Sequence, residues 1–296
     1  MIARACRAVP SAVWLAAALG LAMATPGAAI AQPAVFSARV DVVRVDVDVR
    51  RGDTQVAGLT AADFEILDNG VRQRVELVSA TALPVNVVLA LDGSNSLDAK
   101  ERGHLVAAGR RVIDALRPQE TAALVTFSDR VVIQTPFTDD AGRLRTLVGA
   151  SAPATDTALY DAAHVAMLLG TSAPGRPIVI LFSDGDDTAS VLTGDALLDT
   201  AQRTGAVACV VTLGESGQVL PRLAEVTGGV FVKETSLDRV AARFAEILDG
   251  FRRRYVVSFT PTGVAREGWH TLSVKVKGGG DVRARSGYWS GPAPTR

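Results

Sequence analysis

The hydrophobic and polar positions alternate at both ends of the chain. Residues 43–50 alternate between valine and a charged residue, which is the period of a β-strand with one buried face. The same period returns in residues 255–260 and 272–277. Asp68-Asn69-Gly70 lies between two apolar runs and is a strong hairpin signal. Both ends of the chain are therefore predicted to be β-rich.

The centre of the chain has a different pattern. Residues 85–91 are almost continuously apolar, which is typical of a strand buried on both faces. Further strands are predicted at 122–127, 131–134, 178–182, 207–213 and 230–232, and helices at 98–116, 158–169, 192–203, 219–227 and 237–251. Strands that alternate with helices of this length indicate βαβ units. The pattern predicts an α/β fold with a doubly wound, mostly parallel, Rossmann-like sheet.

The β-rich ends bracket this α/β part. Each end alone has about 40 residues, which is below the size that usually holds a core unaided. We therefore expect the ends to form one small β-sandwich, with two separate β modules as the alternative. The predicted boundaries are a β segment at 34–83, the α/β domain at 84–250, a second β segment at 251–290 and a tail at 291–296.

The N-terminus has the pattern of a secretory signal peptide. Arg4 and Arg7 precede an apolar region at 12–24, and Ala29-Ile30-Ala31 is a small-x-small cleavage site. We predict a signal peptide over 1–31, with an N-terminal membrane anchor as the alternative. No later stretch is long and apolar enough to span a bilayer. The expected product is periplasmic or secreted, with no membrane span after cleavage.

The charge balance limits the classes of binding partner, and the cysteine count limits the disulfides that the chain can form. The chain has 31 Lys and Arg against 31 Asp and Glu, and loss of Arg4 and Arg7 leaves 29 against 31, a net charge of −2. This balance favours neither nucleic acid nor an anionic membrane as a partner. Cys6 is removed with the signal peptide, so Cys209 has no partner for an intrachain disulfide.

Oxygen-bearing side chains follow the predicted strands at the points where they end. Asp92, Ser94 and Ser96 follow the first buried strand, Asp184 follows another, and Thr157 stands directly before a helix. The carboxyl ends of parallel strands meet at one edge of the sheet, where ligands bind. Carboxylate and hydroxyl oxygens suit Mg²⁺ or Mn²⁺. The alternative is that Asp92 and the serines only cap the helix that follows.

This order of motifs resembles the von Willebrand factor type A (VWA) domain and its metal-ion-dependent adhesion site (MIDAS). The resemblance covers about residues 84–250. The flanking segments at 58–64 (GLTAADF) and 255–261 (YVVSFTP) are similar to those of a bacterial group of secreted, VWA-related proteins. The resemblance implies a Rossmann-like VWA fold and a protein-interaction function.

The resemblance also implies a role for each site residue. Ser94, Ser96 and Thr157 would bind Mg²⁺ (or Mn²⁺) through their hydroxyls. Asp92 and Asp184 would bind the ion directly or through water. With mostly neutral ligands, the ion would take a carboxylate from a partner protein as its last ligand. Where this family often has glycine before the threonine, this chain has Asp156, a carboxylate that would either tighten metal binding or repel an acidic partner.

The predicted function is that of an extracytoplasmic, adhesion-type interaction module without enzymatic activity. The alternatives are a structural envelope scaffold with a metal-stiffened site and, less favoured, a metal-assisted hydrolase. The sequence has no Gly-rich phosphate loop, Ser-His-Asp arrangement or zinc signature. We expect Asp186 and Asp187 to be solvated loop carboxylates and not ligands.

Overall fold

The computed structural model describes residues 42–78, 83–95, 98–150, 154–184, 186–214 and 216–291, all within one compact unit, Val40–Arg296. The predicted signal peptide, Ser96 and residues 292–296 of the predicted tail lie outside the described residues. In chain order the strands are β1 (Val43–Arg51), β2 (Thr54–Gln55), β3 (Phe64–Asp68), β4 (Val71–Gln73), β5 (Glu76–Val78), β6 (Val85–Asp92), β7 (Thr121–Phe127), β8 (Val131–Thr138), β9 (Arg176–Ser183), β10 (Val207–Leu213), β11 (Phe231–Glu234), β12 (Tyr255–Phe259), β13 (Gly268–Val276), β14 (Asp281–Arg283) and β15 (Gly287–Ser290). The α-helices are α1 (Ala99–Asp114), α2 (Ala141–Leu147), α3 (Leu159–Gly170), α4 (Gly194–Arg203), α5 (Val219–Thr227) and α6 (Val240–Arg252).

A six-stranded sheet forms the centre of the α/β part, in the order β11-β10-β9-β6-β7-β8. All neighbouring strands are parallel except β8, which pairs with β7 in the antiparallel direction. Every residue of β6 is buried, as expected for a strand covered on both faces. The prediction of an α/β fold is confirmed.

Helices cover both faces of this sheet because successive side chains of a strand point to opposite faces. Val87, Leu89 and Leu91 of β6 pack in one cluster with residues of α1, α2 and α6. Val88 and Ala90 of β6 pack in a second cluster with residues of α3, α4 and α5. None of the helices in the described part of the chain has the length and apolar composition needed to cross a bilayer.

Strands β2 and β15 were not predicted, and two further differences concern α2 and residues 71–78. Helix α2 was not predicted, because its seven residues bury only Leu144 and so carry almost no periodic signal. Asp140 caps its N-terminus, and the Asp140 side chain accepts a hydrogen bond from the Arg143 amide. The run that follows the predicted hairpin turn at Asp68-Asn69-Gly70 forms two strands, β4 and β5. Strand β4 pairs with β3 whereas β5 pairs with β12, so the chain passes from one sheet to another between them.

The two ends of the chain meet in two further sheets. One has the order β14-β1-β12-β5, with β2 paired to β1, and the other has the order β15-β13-β3-β4. Each sheet therefore contains strands from before and after the α/β part. Their inward side chains share one hydrophobic cluster, which includes Val47, Ile66, Val257, Phe259 and Leu272.

A buried arginine connects this β-rich part to the central sheet. Arg176 is the first residue of β9, and its Nε donates to Oδ1 of Asp46 in β1 over 2.8 Å. The same guanidinium donates to the carbonyl of Phe251 at 2.9 Å and lies 4.6 Å from the centre of the Phe251 ring. The side chains of Arg176 and Asp46 are only 3% and 14% exposed, so solvent screens their attraction weakly.

Replacing Arg176 with Met tests this connection. The variant leaves the Asp46 carboxylate without its partner, so we expect the free energy of unfolding to fall by about 3 kcal/mol or more in urea titrations. Arg145→Met is the matched control because Arg145 pairs with Asp114 where both side chains are about half exposed. That control should cost less than about 1 kcal/mol. Equal losses in the two variants would contradict the assignment.

Candidate metal centre

Asp92 is the last residue of β6, and its carboxylate is buried at the carboxyl edge of the sheet. Its Oδ1 accepts a hydrogen bond from the amide of Ser94 at 2.9 Å. Its Oδ2 accepts a hydrogen bond from the hydroxyl of Ser183 at 2.8 Å. Ser183 is the last residue of the neighbouring strand β9, so the parallel pairing of the two strands brings these side chains together.

The pKa of the Asp92 carboxylate is unusually high. The pKa of Asp92 is raised to about 6, mainly by burial and to a smaller extent by the charge of the nearby Asp184, against the lowering effect of hydrogen bonds from Ser94 and Ser183. Among the described residues, Oδ1 of Asp184 is buried with no hydrogen-bond partner. Two carboxylates thus lie close enough to repel each other, and one of their oxygens lacks a donor.

Thr157 is held in the same region by two loop contacts. Its amide donates to the hydroxyl of Thr188 at 2.8 Å, which links the loop before α3 to the loop after β9. The amide of Asn95 donates to the carbonyl of Ala154 at 2.8 Å, which links the loop after β6 to the same segment. Thr157 and Ser94 are both buried, with 7% and 1% exposed.

These residues fit a hard divalent cation. The side chains available in the described part are the Asp92 and Asp184 carboxylates and the Ser94 and Thr157 hydroxyls, all oxygen donors of the kind that Mg²⁺ and Mn²⁺ prefer. The described residues contain no cluster of three His, Cys, Asp or Glu side chains that could hold a metal ion. A cation here would therefore depend on the hydroxyls. Ser96 lies outside the described residues, and the full ligand set stays a prediction.

The comparison with protein families agrees with this architecture. The family model for the von Willebrand factor type A domain matches residues 87–186, which include Asp92, Ser94, Thr157 and Asp184. This chain contains a VWA domain. No curated protein matches the sequence.

Solved structures with the same fold are distant in sequence. A von Willebrand factor type A protein from Catenulispora acidiphila is 14% identical, with 86% of this chain and 76% of that chain covered and a TM-score of 0.52. Proximal thread matrix protein 1 from the mussel byssus is 16% identical, with 72% and 51% covered and a TM-score of 0.52. Its structure with a zinc-occupied MIDAS motif is 17% identical, with 63% and 49% covered and the same TM-score. This chain spans about half the length of the mussel protein, and at these identities the likeness shows the fold alone.

Asp187 has a structural role in this VWA domain that the sequence analysis missed. Its Oδ1 accepts hydrogen bonds from the amides of Leu159 and Tyr160, the first two residues of α3, and from the hydroxyl of Ser190. The residue that precedes α3 is Ala158, which has no side-chain oxygen, so Asp187 satisfies these amides from another loop. The interpretation of Asp187 as a solvated carboxylate was wrong. Asp186 is exposed and accepts from the amide of Gly217.

Ser183 is the other residue of the centre that was missed. Its signal in the sequence is a hydroxyl at the last position of an apolar strand, directly before Asp184. The partner of that hydroxyl is Asp92, which is distant in sequence, so only the strand pairing reveals the contact.

The buried carboxylate predicts a pH dependence of the metal-free protein. The pKa of Asp92 is about 6 in the folded state against 3.8 as its ordinary value, so stability is lost as the pH rises from about 4 to about 6. In EDTA we expect Asp92→Asn to be more stable than the wild type at about pH 7, by up to roughly 3 kcal/mol, and no more stable at about pH 4.

Thermal unfolding in EDTA across this pH range measures the difference. Asp53→Asn, at an exposed position in the turn after β1, controls for the loss of one negative charge. If the wild type and Asp92→Asn differ by the same amount at both pH values, the burial argument is wrong.

Proposed function

We propose that the protein is an extracytoplasmic, adhesion-type interaction module that binds a partner through a Mg²⁺-dependent, MIDAS-like site. The observation that carries the proposal is the buried Oδ1 of Asp184, which has no hydrogen-bond partner among the described residues and lies near the buried carboxylate of Asp92. A divalent cation would supply the missing partner and remove the repulsion between the two charges.

The proposed ligands are those that the sequence suggested. Ser94, Ser96 and Thr157 would contribute hydroxyl oxygens, and Asp92 and Asp184 would bind directly or through water. Because most of these ligands are neutral hydroxyls, the ion would stay electrophilic and would take a carboxylate of the partner protein as its last ligand.

The proposal includes the organisation of the rest of the chain. We place the VWA domain at 84–250 and a small β-sandwich at 34–83 and 251–290, after a signal peptide over 1–31 and before a tail at 291–296. The shared cluster of the two β-rich sheets, with Val47 before and Val257 after the α/β part, supports the single sandwich. The signal peptide pattern supports a periplasmic or secreted location.

A structural scaffold is the second candidate function. Hydrogen bonds of Asp187, Thr188 and Ser190 already join the loops around the centre. A bound ion would add a further link between these loops, and this role needs no partner protein. A hydrolase has less support. His104, His164 and His270 contact Asp238, Thr200 and Asp68 respectively, and none of these contacts is at the centre.

Metal binding is tested by thermal unfolding with Mg²⁺ or Mn²⁺ and with EDTA. A ligand at 100 times its dissociation constant adds about 2.7 kcal/mol to stability, which raises the melting temperature by roughly 5–10 °C. We expect this shift in the wild type and in Asp53→Ala, and its loss in Asp92→Ala and Asp184→Ala. A full shift in the Asp92→Ala variant would show that Asp92 is not a ligand of the metal.

Partner binding is tested by pull-down from envelope extract in Mg²⁺ and in EDTA. The adhesion proposal predicts that a protein recovered by the wild type and by Asp53→Ala in Mg²⁺ is lost in EDTA and is not recovered by Asp92→Ala. Equal recovery in Mg²⁺ and EDTA would favour a metal-independent scaffold.

A further inference from the structure

A small cavity adjoins the carboxylate of Asp92. Its volume is about 190 Å³, and it lies between the end of β6, the first half of α1 and the end of α2. The apolar side chains around it include Leu105, Val106 and Val148. Most of the side chains that line the cavity are therefore apolar, and Asp92 connects it to the candidate metal centre.

The size of the cavity suits one side chain. Sites for whole small molecules have volumes of about 300–1,000 Å³. An apolar cavity of about 150 Å³ is large enough for a benzene molecule. A cavity of about 190 Å³ with aliphatic walls thus matches a side chain such as leucine or methionine.

Gly103, which lines the cavity, is exposed and has no packing reason to be glycine. It lies in the interior of α1, where glycine is among the least favourable residues. A Cβ atom at Gly103 would meet no atom within 4 Å, whereas a Cβ at Gly109 in the same helix would lie 2.5 Å from Cγ2 of Val148. The packing of α1 on α2 explains Gly109, but it does not explain Gly103.

The charges at the cavity favour an acidic partner. The basic residue Arg102 of α1 also lines the cavity. Asp156, the carboxylate that would repel an acidic partner, belongs to the loop before α3, and α3 covers the opposite face of the sheet. A basic residue therefore lines the cavity, whereas Asp156 does not.

We infer that this cavity receives the aliphatic side chain of a partner segment whose neighbouring Asp or Glu binds the metal, an inference that rests on the proposed function. Because Asp92 borders both the cavity and the metal centre, one short segment can reach both. The cavity then selects among acidic partners, since burial of an aliphatic side chain adds affinity that the metal–carboxylate contact cannot supply.

Two short peptides test the inference: acetylated Gly-Leu-Gly-Glu-Gly-Leu-Gly and a matched peptide with Ser in place of both Leu. Dissociation constants are measured by NMR titration of the full chain in Mg²⁺ and in EDTA. For the wild type in Mg²⁺ we expect the Leu peptide to bind about tenfold more tightly than the Ser peptide.

Variants of α1 provide the controls. Gly103→Leu fills the cavity and should abolish the advantage of the Leu peptide, and Gly103→Ala should raise the melting temperature and keep part of that advantage. Ala107→Leu adds the same bulk one turn further along α1, at an exposed position away from the cavity, and should keep all of it. The Mg²⁺-induced thermal shift is measured for each variant to verify that its metal centre is intact.

The outcomes separate this inference from the proposed function. Mg²⁺-dependent binding of both peptides with equal affinity overturns the cavity assignment and leaves the metal-dependent function standing. A full Leu advantage in Gly103→Leu also overturns the assignment. If neither peptide binds in a Mg²⁺-dependent way, the proposed function and this inference both fail.

Discussion

The parallel pairing of β6 with β7 and β9 is the constraint on which the rest of the structure depends. These strands are apolar and buried, so their register is fixed by packing on both faces. Parallel strands carry their carboxyl ends to the same edge, and this places Asp92 beside Ser183 and next to Asp184. The same pairing fixes the position of the first residue of β9, Arg176, which contacts Asp46 of the β-rich part.

The cost of this arrangement is an ionisable group in a buried position. Burial raises the pKa of Asp92, and hydrogen bonds from Ser94 and Ser183 offset only part of the penalty. The unpartnered oxygen of Asp184 adds to it. Such polar groups are rare in buried positions unless a function retains them, and a divalent cation fits the oxygen donors that surround them. Stability and proposed function are thus coupled through the same two carboxylates.

The surroundings of the centre differ on its two sides. On the α3 side, Asp187 and Thr188 fix the loops by hydrogen bonds to backbone amides. On the α1 side, a helix with an interior glycine borders an apolar cavity. The α1 side has room for a second side chain, which would give the proposed partner segment a direction.

The sequence by itself determined the α/β pattern, the positions of the buried strands along the chain, the hairpin at Asn69-Gly70 and the candidate ligands Asp92, Ser94, Thr157 and Asp184, because these depend on local periodicity and on residue type at strand ends. It did not determine α2, which buries a single leucine, or the break of residues 71–78 between two sheets. Only the tertiary structure revealed the roles of Ser183 and Asp187 and the cavity beside Gly103. Those features join residues that are distant along the chain, and one-dimensional spacing carries no information about such contacts.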